Sequence, residues 1–240
     1  MPKFLAFIPC RSGSKRIPEK NLTVFNSKTL IQRTFDLSNQ AKKVDNIVIS
    51  TDSQLYLDSI IKTQKFIDLG LRSSSNSTDL TTDYEVLSEV ISNLEINDIH
   101  FDYVIHLRPT YPALRYQDID NAISYFLDKP KASSLKSVEK QDLFFQKCLI
   151  ESSSDPDRLI GLDGDYQNKL SFLPSQQCNK LYAQTAAIDI YSVQDIKSGS
   201  LWGNYCLKYE LGIYQADIDE YYDFPAAYGA LDQVTALEKQ

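Results

Sequence analysis

Apolar and polar positions along this chain follow two kinds of pattern. Short, nearly continuous apolar runs are typical of buried strands, which are predicted at 4–9, 46–52, 103–107, 132–138, 186–191 and 209–215. Segments with apolar residues at helical spacing predict helices at 29–37, 54–65, 82–94, 119–126 and 221–237. Because strands and helices follow each other in turn, the expected fold is α/β, a three-layer sandwich with a mostly parallel sheet.

One long segment interrupts this alternation. From 139 to about 182 the chain has no clear succession of strand and helix. A connection of this length is too long for an ordinary loop inside a compact domain. We therefore expect a single domain over residues 1–240 that carries an inserted arm at about 139–182.

A basic loop follows the first predicted strand directly. Its cations alternate with small or polar residues, and the loop contains Arg11, Ser12, Gly13, Ser14, Lys15, Arg16, Lys20 and Asn21. Small residues let main-chain N–H groups approach an anion, and arginine can bind phosphate in a bidentate way. At the carboxyl end of a strand, where open α/β folds bind ligands, this pattern predicts a polyphosphate site. The alternative is an exposed loop whose charges are only solvated.

Composition limits the classes of function. The net charge of −7 gives little support to nucleic-acid binding, and no apolar run approaches the roughly 20 residues of a membrane span. The chain enters a strand without a signal-peptide pattern, so we expect a cytoplasmic protein. The four scattered cysteines and two histidines do not suit a structural zinc site. The glycine patterns G-x-G-x-x-G and G-x-x-x-x-G-K-[ST] are absent from the sequence, which disfavours NAD-type and P-loop chemistry.

Two acids follow the last predicted strand. Asp217 and Asp219 are two residues apart, and alternation along a strand would place both carboxylates on the same face. Mg²⁺ is commonly held by one or two carboxylates together with phosphate oxygens and waters. The pair therefore predicts a Mg²⁺ site beside the polyphosphate loop. The alternative is a strand end whose acids cap the final helix.

A third acid ends the second predicted strand. Asp52 follows Ser50 and Thr51 and stands just before the helix predicted to begin at Gln54. We interpret Asp52 as the N-cap of that helix, since aspartate is a favoured N-cap residue. Ser50 and Thr51 are the weaker candidates for a wall of the ligand site.

The basic loop also carries a family resemblance. The pattern Pro9-x-Arg11-Ser12-Gly13-Ser14-Lys15-x-Ile17-Pro18-x-Lys20-Asn21-Leu22 resembles the signature of the sugar-activating cytidylyltransferases. It is most similar to the acylneuraminate (sialic-acid type) branch, which makes CMP-sugars from CTP and a nine-carbon keto-acid sugar. The resemblance covers nearly the whole chain and is weakest from 139 to 182. It implies a nucleotide-diphospho-sugar transferase-like, Rossmann-like fold.

The resemblance also implies roles for single residues. Arg72, seven residues before Asp79, would lie near the nucleotide, and Asn21 would contact it as well. The family carries an Asp-Ile-Asp motif where this chain has Asp217 and Asp219, which supports the magnesium prediction. In related enzymes the inserted arm forms a homodimer contact and closes over the sugar. The residues expected to contact the sugar and its carboxylate are Arg108, Lys147 and Gln184.

The chain departs from the family pattern at several of these places. The resembling family has a proline-containing turn after the third predicted strand, and in this turn Tyr111 replaces the usual small residue and Ala113 resembles an insertion. Ser175 stands where several members have arginine. The usual Asn-Gly before the strand at 186–191 is replaced by Thr185 and Ala186. These departures indicate a sugar pocket that differs from that of a standard sialic-acid enzyme.

The resulting expectation is an enzyme that joins CTP to a 2-keto-3-deoxy sugar acid and releases pyrophosphate. Arg11 and Lys15 would stabilise the leaving pyrophosphate, and Asp219 would act with Asp217 through Mg²⁺. The acceptor would be a nonulosonate of the sialic, legionaminic or pseudaminic type, as used in bacterial lipopolysaccharide or capsule. Two alternatives are a related nucleotidyltransferase acting on an eight-carbon sugar acid and a catalytically idle nucleotide-sugar binding protein.

Overall fold

The computed structural model describes residues 1–162, 172–211 and 216–237. The strands are β1 (Phe4–Pro9), β2 (Val24–Phe25), β3 (Lys28–Thr29), β4 (Asn46–Ser50), β5 (Tyr103–Leu107), β6 (Ser134–Phe144), β7 (Leu149–Ser152), β8 (Asp155–Gly161), β9 (Lys180–Ser192) and β10 (Cys206–Glu210). The α-helices are α1 (Leu30–Gln40), α2 (Gln54–Asp58), α3 (Asp83–Ile96), α4 (Tyr116–Leu127), α5 (Val193–Lys197) and α6 (Phe224–Leu237). Short 3₁₀ turns occupy Lys20–Leu22, Ser74–Asn76, Phe145–Lys147, Ser175–Gln177 and Tyr221–Asp223.

The main sheet has the strand order β10-β6-β9-β5-β1-β4. β1 pairs in parallel with both β4 and β5, while β5 and β9 pair antiparallel. Apolar side chains of β1 alternate between the two faces of the sheet, so that Ile8 packs with α1 and α4 while Phe7 packs with α3 and α5. This arrangement of helices on both faces confirms the predicted three-layer α/β fold.

The chain divides into two compact units. The first comprises 1–137 and 185–240, and the second comprises Val138–Gln184. The second unit contains the antiparallel hairpin of β7 and β8, in which Leu149 lies opposite Gly161. Its bounds lie close to those of the arm predicted at about 139–182.

Several predicted elements differ in extent from the observed ones. The helix predicted at 54–65 ends at Asp58, because the following segment turns to run beside β4. There the amide of Ile47 donates to the carbonyl of Lys65 at 2.8 Å, and the amide of Ile67 donates to the carbonyl of Ile47 at 2.9 Å. The last strand, predicted at 209–215, is observed as Cys206–Glu210, and residues 212–215 lie outside the described part of the chain.

The start and the buried face of α3 follow from residues that are close together in the sequence. Thr82 caps α3, and its hydroxyl accepts a hydrogen bond from the amide of Glu85. The Glu85 side chain accepts one from the amide of Thr82 in return, which completes the capping box. The predicted apolar stripe of this helix is buried, including Leu87 and Leu94. α3 is thereby fixed against the sheet with its N-terminus beside the end of β5, where Arg108 pairs with Asp83.

Candidate nucleotide and metal site

A cavity of about 470 Å³ lies at the carboxyl ends of β1 and β5. Such an edge is where open α/β sheets bind ligands. The cavity is lined by residues from the basic loop, the segment before α3, the turn after β5 and the acidic segment near the C-terminus. They include Arg11, Ser14, Lys15, Arg16, Lys20, Asn21, Arg72, Asp79, Asp83, Arg108, Thr110, Asp217 and Asp219.

The basic loop keeps its shape through a contact with the neighbouring strand. The amide and the hydroxyl of Ser12 both donate to the carboxylate of Asp52, at 2.7 and 2.8 Å. Burial raises the pKa of Asp52, but these hydrogen bonds from Ser12 outweigh it, so the net shift is downward. The prediction that Asp52 caps α2 is wrong, because Ser53 holds the N-cap position and Asp52 bonds the loop instead.

Gly13 gives the loop a turn that other residues rarely adopt. Its φ of +71° lies in the left-handed region, and no atom stands within 4 Å of where a Cβ would lie. The glycine is therefore required by its backbone conformation. Gly13 and Ser12 shape the loop, whereas Ser14 and Asn21 line the cavity that the loop borders.

Two of the predicted phosphate ligands share one carboxylate. An Nη of Arg11 lies 2.6 Å from Asp79, and the ammonium of Lys15 pairs with the other oxygen of the same carboxylate. These cations hold the pKa of Asp79 below its usual value, with Lys15 contributing most. Asp79 thus occupies a position beside the two cations where a phosphate could bind. Sequence reasoning noted the spacing of Asp79 from Arg72 but missed this pairing.

The acidic segment brings both predicted magnesium ligands to the cavity. The prediction that they lie on a strand is wrong, since residues 216–218 belong to no strand. Alternation still holds: Ile218 is fully buried, while Asp217 and Asp219 on either side line the cavity. The amide of Ile218 donates to the carbonyl of Thr110 at 2.9 Å, which fixes the segment against the turn after β5.

The two carboxylates lie in different surroundings. Loss of hydration raises the pKa of Asp217, and the charge of Asp219 raises it further. Asp219 has a lowered pKa, first because of its hydrogen bond with Lys20 and then because of Arg16. Its oxygens lie 2.9 Å from the ammonium of Lys20 and 3.0 Å from an Nη of Arg16. The basic loop and the acidic segment therefore meet directly.

This donor set fits a Mg²⁺ ion that is completed by phosphate. Two carboxylates facing one cavity, with repulsion between them, suit a small hard cation. Within the described ranges, no group of three or more His, Cys, Asp or Glu side chains is arranged to hold a metal. Asp217 and Asp219 would thus need phosphate oxygens and waters to complete the coordination of Mg²⁺.

Arg72 lines the cavity and donates hydrogen bonds to main-chain carbonyl groups. Its amide donates to the carbonyl of Thr51 at 2.7 Å, and one Nη donates to the carbonyl of Ser50 at 3.1 Å. The Nε–H is buried and lacks a partner among the described atoms. A buried donor without a partner is costly, and the two Nη groups bond main-chain carbonyls, at 3.1 Å to Ser50 and 3.4 Å to Asn76.

The predicted sugar ligands do not all share one unit. Arg108 lines the cavity, and its Nη lies 2.6 Å from the carboxylate of Asp83, a partner that sequence reasoning missed. Lys147 and Gln184 belong to the second compact unit, where the ammonium of Lys147 lies 5.9 Å from the centre of the Phe144 ring. Their contacts with sugar stay predictions.

In the described ranges, no helix combines the length and apolar character that crossing a bilayer requires.

Comparisons with known proteins point to one family. Residues 5–199 match the family model described as cytidylyltransferase. N-acylneuraminate cytidylyltransferase of Streptococcus agalactiae serotype V is 28% identical over 235 residues, 95% of this chain and 53% of that protein. CMP-N,N'-diacetyllegionaminic acid synthase of Legionella pneumophila is 32% identical over 136 residues, 57% of either chain. The chain thus spans about half the length of the curated relatives it matches.

A solved structure shows the same fold. A CMP:2-keto-3-deoxy-manno-octonic acid synthetase, determined in complex with CTP, aligns over 98% of this chain and 99% of its own. The TM-score is 0.64 at 16% sequence identity, so this likeness speaks for the fold alone. The family match and the relatives confirm the resemblance to the cytidylyltransferases of the acylneuraminate branch. The chain belongs to the cytidylyltransferase family.

Proposed function

We propose that this protein transfers the CMP group of CTP to a 2-keto-3-deoxy sugar acid and releases pyrophosphate. The observation that carries the proposal is that a single cavity collects the basic loop and the acidic pair from opposite ends of the chain. Cations suited to a triphosphate and carboxylates suited to its metal are what nucleotidyl transfer requires. The names of the relatives support CTP as the nucleotide.

The basic loop would bind the triphosphate. Arg11 and Lys15 would release Asp79 and stabilise the negative charge that builds up on the pyrophosphate leaving group. Lys20 is already held by Asp219 and by the carbonyl of Ile218 at 3.1 Å, so it is placed to bridge phosphate and acid. This is catalysis by positioning and electrostatics, with no covalent intermediate on the protein.

Asp217 and Asp219 would hold Mg²⁺, which when bound polarises the α-phosphate. Lys20 and Arg16 restrain the Asp219 carboxylate so that it faces the cavity. Asn21 and Arg72, which both line the cavity, would contact the nucleotide. The anomeric hydroxyl of the acceptor would then be oriented for in-line attack at the α-phosphorus.

The acceptor class is proposed from the relatives. A nonulosonate is favoured because the relatives matching most of this chain act on N-acylneuraminate, according to their names. An eight-carbon acid is the second candidate, since a 3-deoxy-manno-octulosonate cytidylyltransferase of Flavobacterium johnsoniae is 24% identical over 145 residues. Arg108 would meet the acceptor carboxylate, and Lys147 and Gln184 are the other residues proposed to contact the sugar.

The test is release of pyrophosphate from CTP and Mg²⁺ with a panel of eight- and nine-carbon keto-acid sugars. Release with one acceptor would establish the reaction and identify the sugar. The matched control is Asp219→Asn, which keeps the size of the side chain and is expected to lower turnover by roughly a hundred-fold or more. Binding of CTP without release for any acceptor would instead identify an idle nucleotide-sugar binding protein.

We also propose a cytoplasmic homodimer. The second unit exposes several large apolar side chains, namely Leu143, Leu149, Ile150, Leu159 and Leu162. Leu149 and Leu159 lie on one face of the β7–β8 hairpin, and exposed apolar side chains on one face favour an interaction surface. Sedimentation of the wild type against a Leu149→Glu, Leu159→Glu double variant tests the assembly: a monomer in both samples would refute it.

A further inference from the structure

The turn after β5 is tied to β9 by a tyrosine hydroxyl. Tyr111 is 7% exposed, and its hydroxyl donates to the main-chain carbonyl of Thr185. Thr185 is linked in turn to β6, since its hydroxyl lies 2.9 Å from that of Ser137. The same Ser137 hydroxyl accepts from the amide of Ile188 at 3.1 Å. These bonds form one continuous connection from the turn to the central strands.

Both ends of this bond are places where the sequence departs from the family pattern. Tyr111 stands where a small residue is usual, and Thr185 with Ala186 replaces the usual Asn-Gly. Ala186 has a φ of +55°, in the left-handed region that glycine adopts freely and other residues adopt at a cost. The backbone thus keeps a glycine-like conformation without a glycine. The two departures, separated by 74 residues, meet in a single hydrogen bond that holds this backbone.

The turn that contains Tyr111 also bonds the segment that carries one of the proposed metal ligands, Asp217. Pro109 and Thr110 line the cavity, while Tyr111 is buried behind them. The carbonyl of Thr110 holds the acidic segment through the amide of Ile218 at 2.9 Å. The position of Asp217 therefore depends on the turn that contains Tyr111.

The opposite side of the same turn is fastened to α1. The guanidinium of Arg33 donates to the carbonyl of Pro112 through Nη2 at 2.6 Å and through Nε at 3.1 Å. With α1 on one side and β9 on the other, the turn has two fixed ends. Loss of the Tyr111 bond would free one end, which is the end nearer Asp217.

We propose that Tyr111 is a positioning residue for the cation site. By joining the turn to the main chain of Thr185, it holds the Asp217 carboxylate where a divalent cation can bind between it and the nucleotide phosphates. This inference rests on the proposed function, because it assumes that Asp217 is a metal ligand. Tyr111 does not itself contact the nucleotide or the metal.

The experiment compares Tyr111→Phe, which removes only the hydroxyl, with Thr185→Val, which keeps the main-chain carbonyl and removes the bond to Ser137. Mn²⁺ affinity of the CTP-bound protein is measured by water-proton relaxation, and amide hydrogen exchange is measured at 187–188. For Tyr111→Phe we expect faster exchange and Mn²⁺ binding weaker by roughly three- to ten-fold, the effect of losing one hydrogen bond. For Thr185→Val we expect Mn²⁺ binding within about two-fold of wild type.

The controls separate this inference from the function on which it rests. If Asp217→Asn weakens Mn²⁺ binding but Tyr111→Phe binds it like the wild type, the positioning role is refuted and the cation site stands. If Asp217→Asn itself binds Mn²⁺ like the wild type, the cation site and the positioning role are both wrong. Should Tyr111→Phe fold poorly, adding Ala186→Gly removes the backbone cost, and the same comparison is made in that background.

Discussion

A buried ion pair on β6 and β9 gives the sharpest prediction about stability. The ammonium of Lys136 lies 3.1 Å from the carboxylate of Asp189, and their side chains are 9% and 1% exposed. The hydroxyl of Tyr191 accepts from Lys136 at 2.7 Å and donates to Asp189 at 3.0 Å. The other carboxylate oxygen accepts from the amide of Ser137 at 3.1 Å. Removing either charge leaves the other buried without its oppositely charged partner.

The two single substitutions should differ in cost. Asp189→Ala leaves the buried Lys136 ammonium without a counter-charge, beside the Tyr191 hydroxyl and the Tyr191 and Trp202 rings, so we expect a loss of about 3–5 kcal/mol in unfolding free energy. Lys136→Met leaves a carboxylate that keeps two donors, from Ser137 and Tyr191, so we expect a smaller loss of roughly 1.5–3 kcal/mol. In a chain of this size, 1 kcal/mol corresponds to roughly 2–4 °C in Tm.

The measurement is urea and thermal unfolding followed by circular dichroism. A Lys136→Met, Asp189→Ala double variant should lose less than the sum of the single variants, because neither charge is then left alone. Lys62→Met serves as the control: its partner Asp68 lies 2.9 Å away, both side chains are about half exposed, and the loss should stay below about 1 kcal/mol. Single variants within about 1 kcal/mol of wild type, with additive effects, would refute this reasoning.

Three further predictions concern the candidate site. Lys15→Ala should slow turnover by roughly ten-fold or more with CTP bound, since Lys15 stabilises the leaving group; an unchanged rate would remove that role. Asp79→Asn should lower the KM for CTP by roughly a few-fold, because the triphosphate no longer competes with a carboxylate for Lys15; a higher KM would place Asp79 among the nucleotide ligands. The pKa of Asp52 is lowered in the folded protein, so its stabilising bonds with Ser12 are fully present above the unfolded pKa and are lost as pH falls through the folded one. The Tm difference between wild type and Asp52→Asn should therefore be constant above about pH 5 and shrink below about pH 4.

The sequence by itself determined the features that depend only on residues close together in the chain. The apolar run of β1, the basic loop that follows it and the helix predicted to begin near Thr82 are all found in place. Helical and strand periodicity depend on neighbouring residues, so they can be recognised without knowing the fold. The family resemblance of the basic loop likewise lies in one short stretch, and the comparisons confirm it.

Only the tertiary structure decided which distant groups meet. Asp52 bonds Ser12 instead of capping a helix, and Asp79 pairs with the cations of the basic loop. The antiparallel pairing of β5 with β9 and the bond from Tyr111 to Thr185 depend on where strands enter the sheet. Such contacts join residues tens of positions apart, and their energies come from burial and geometry that no local pattern contains. The family could therefore be recognised from the sequence. The positions of the charged groups in the candidate site were fixed only by folding.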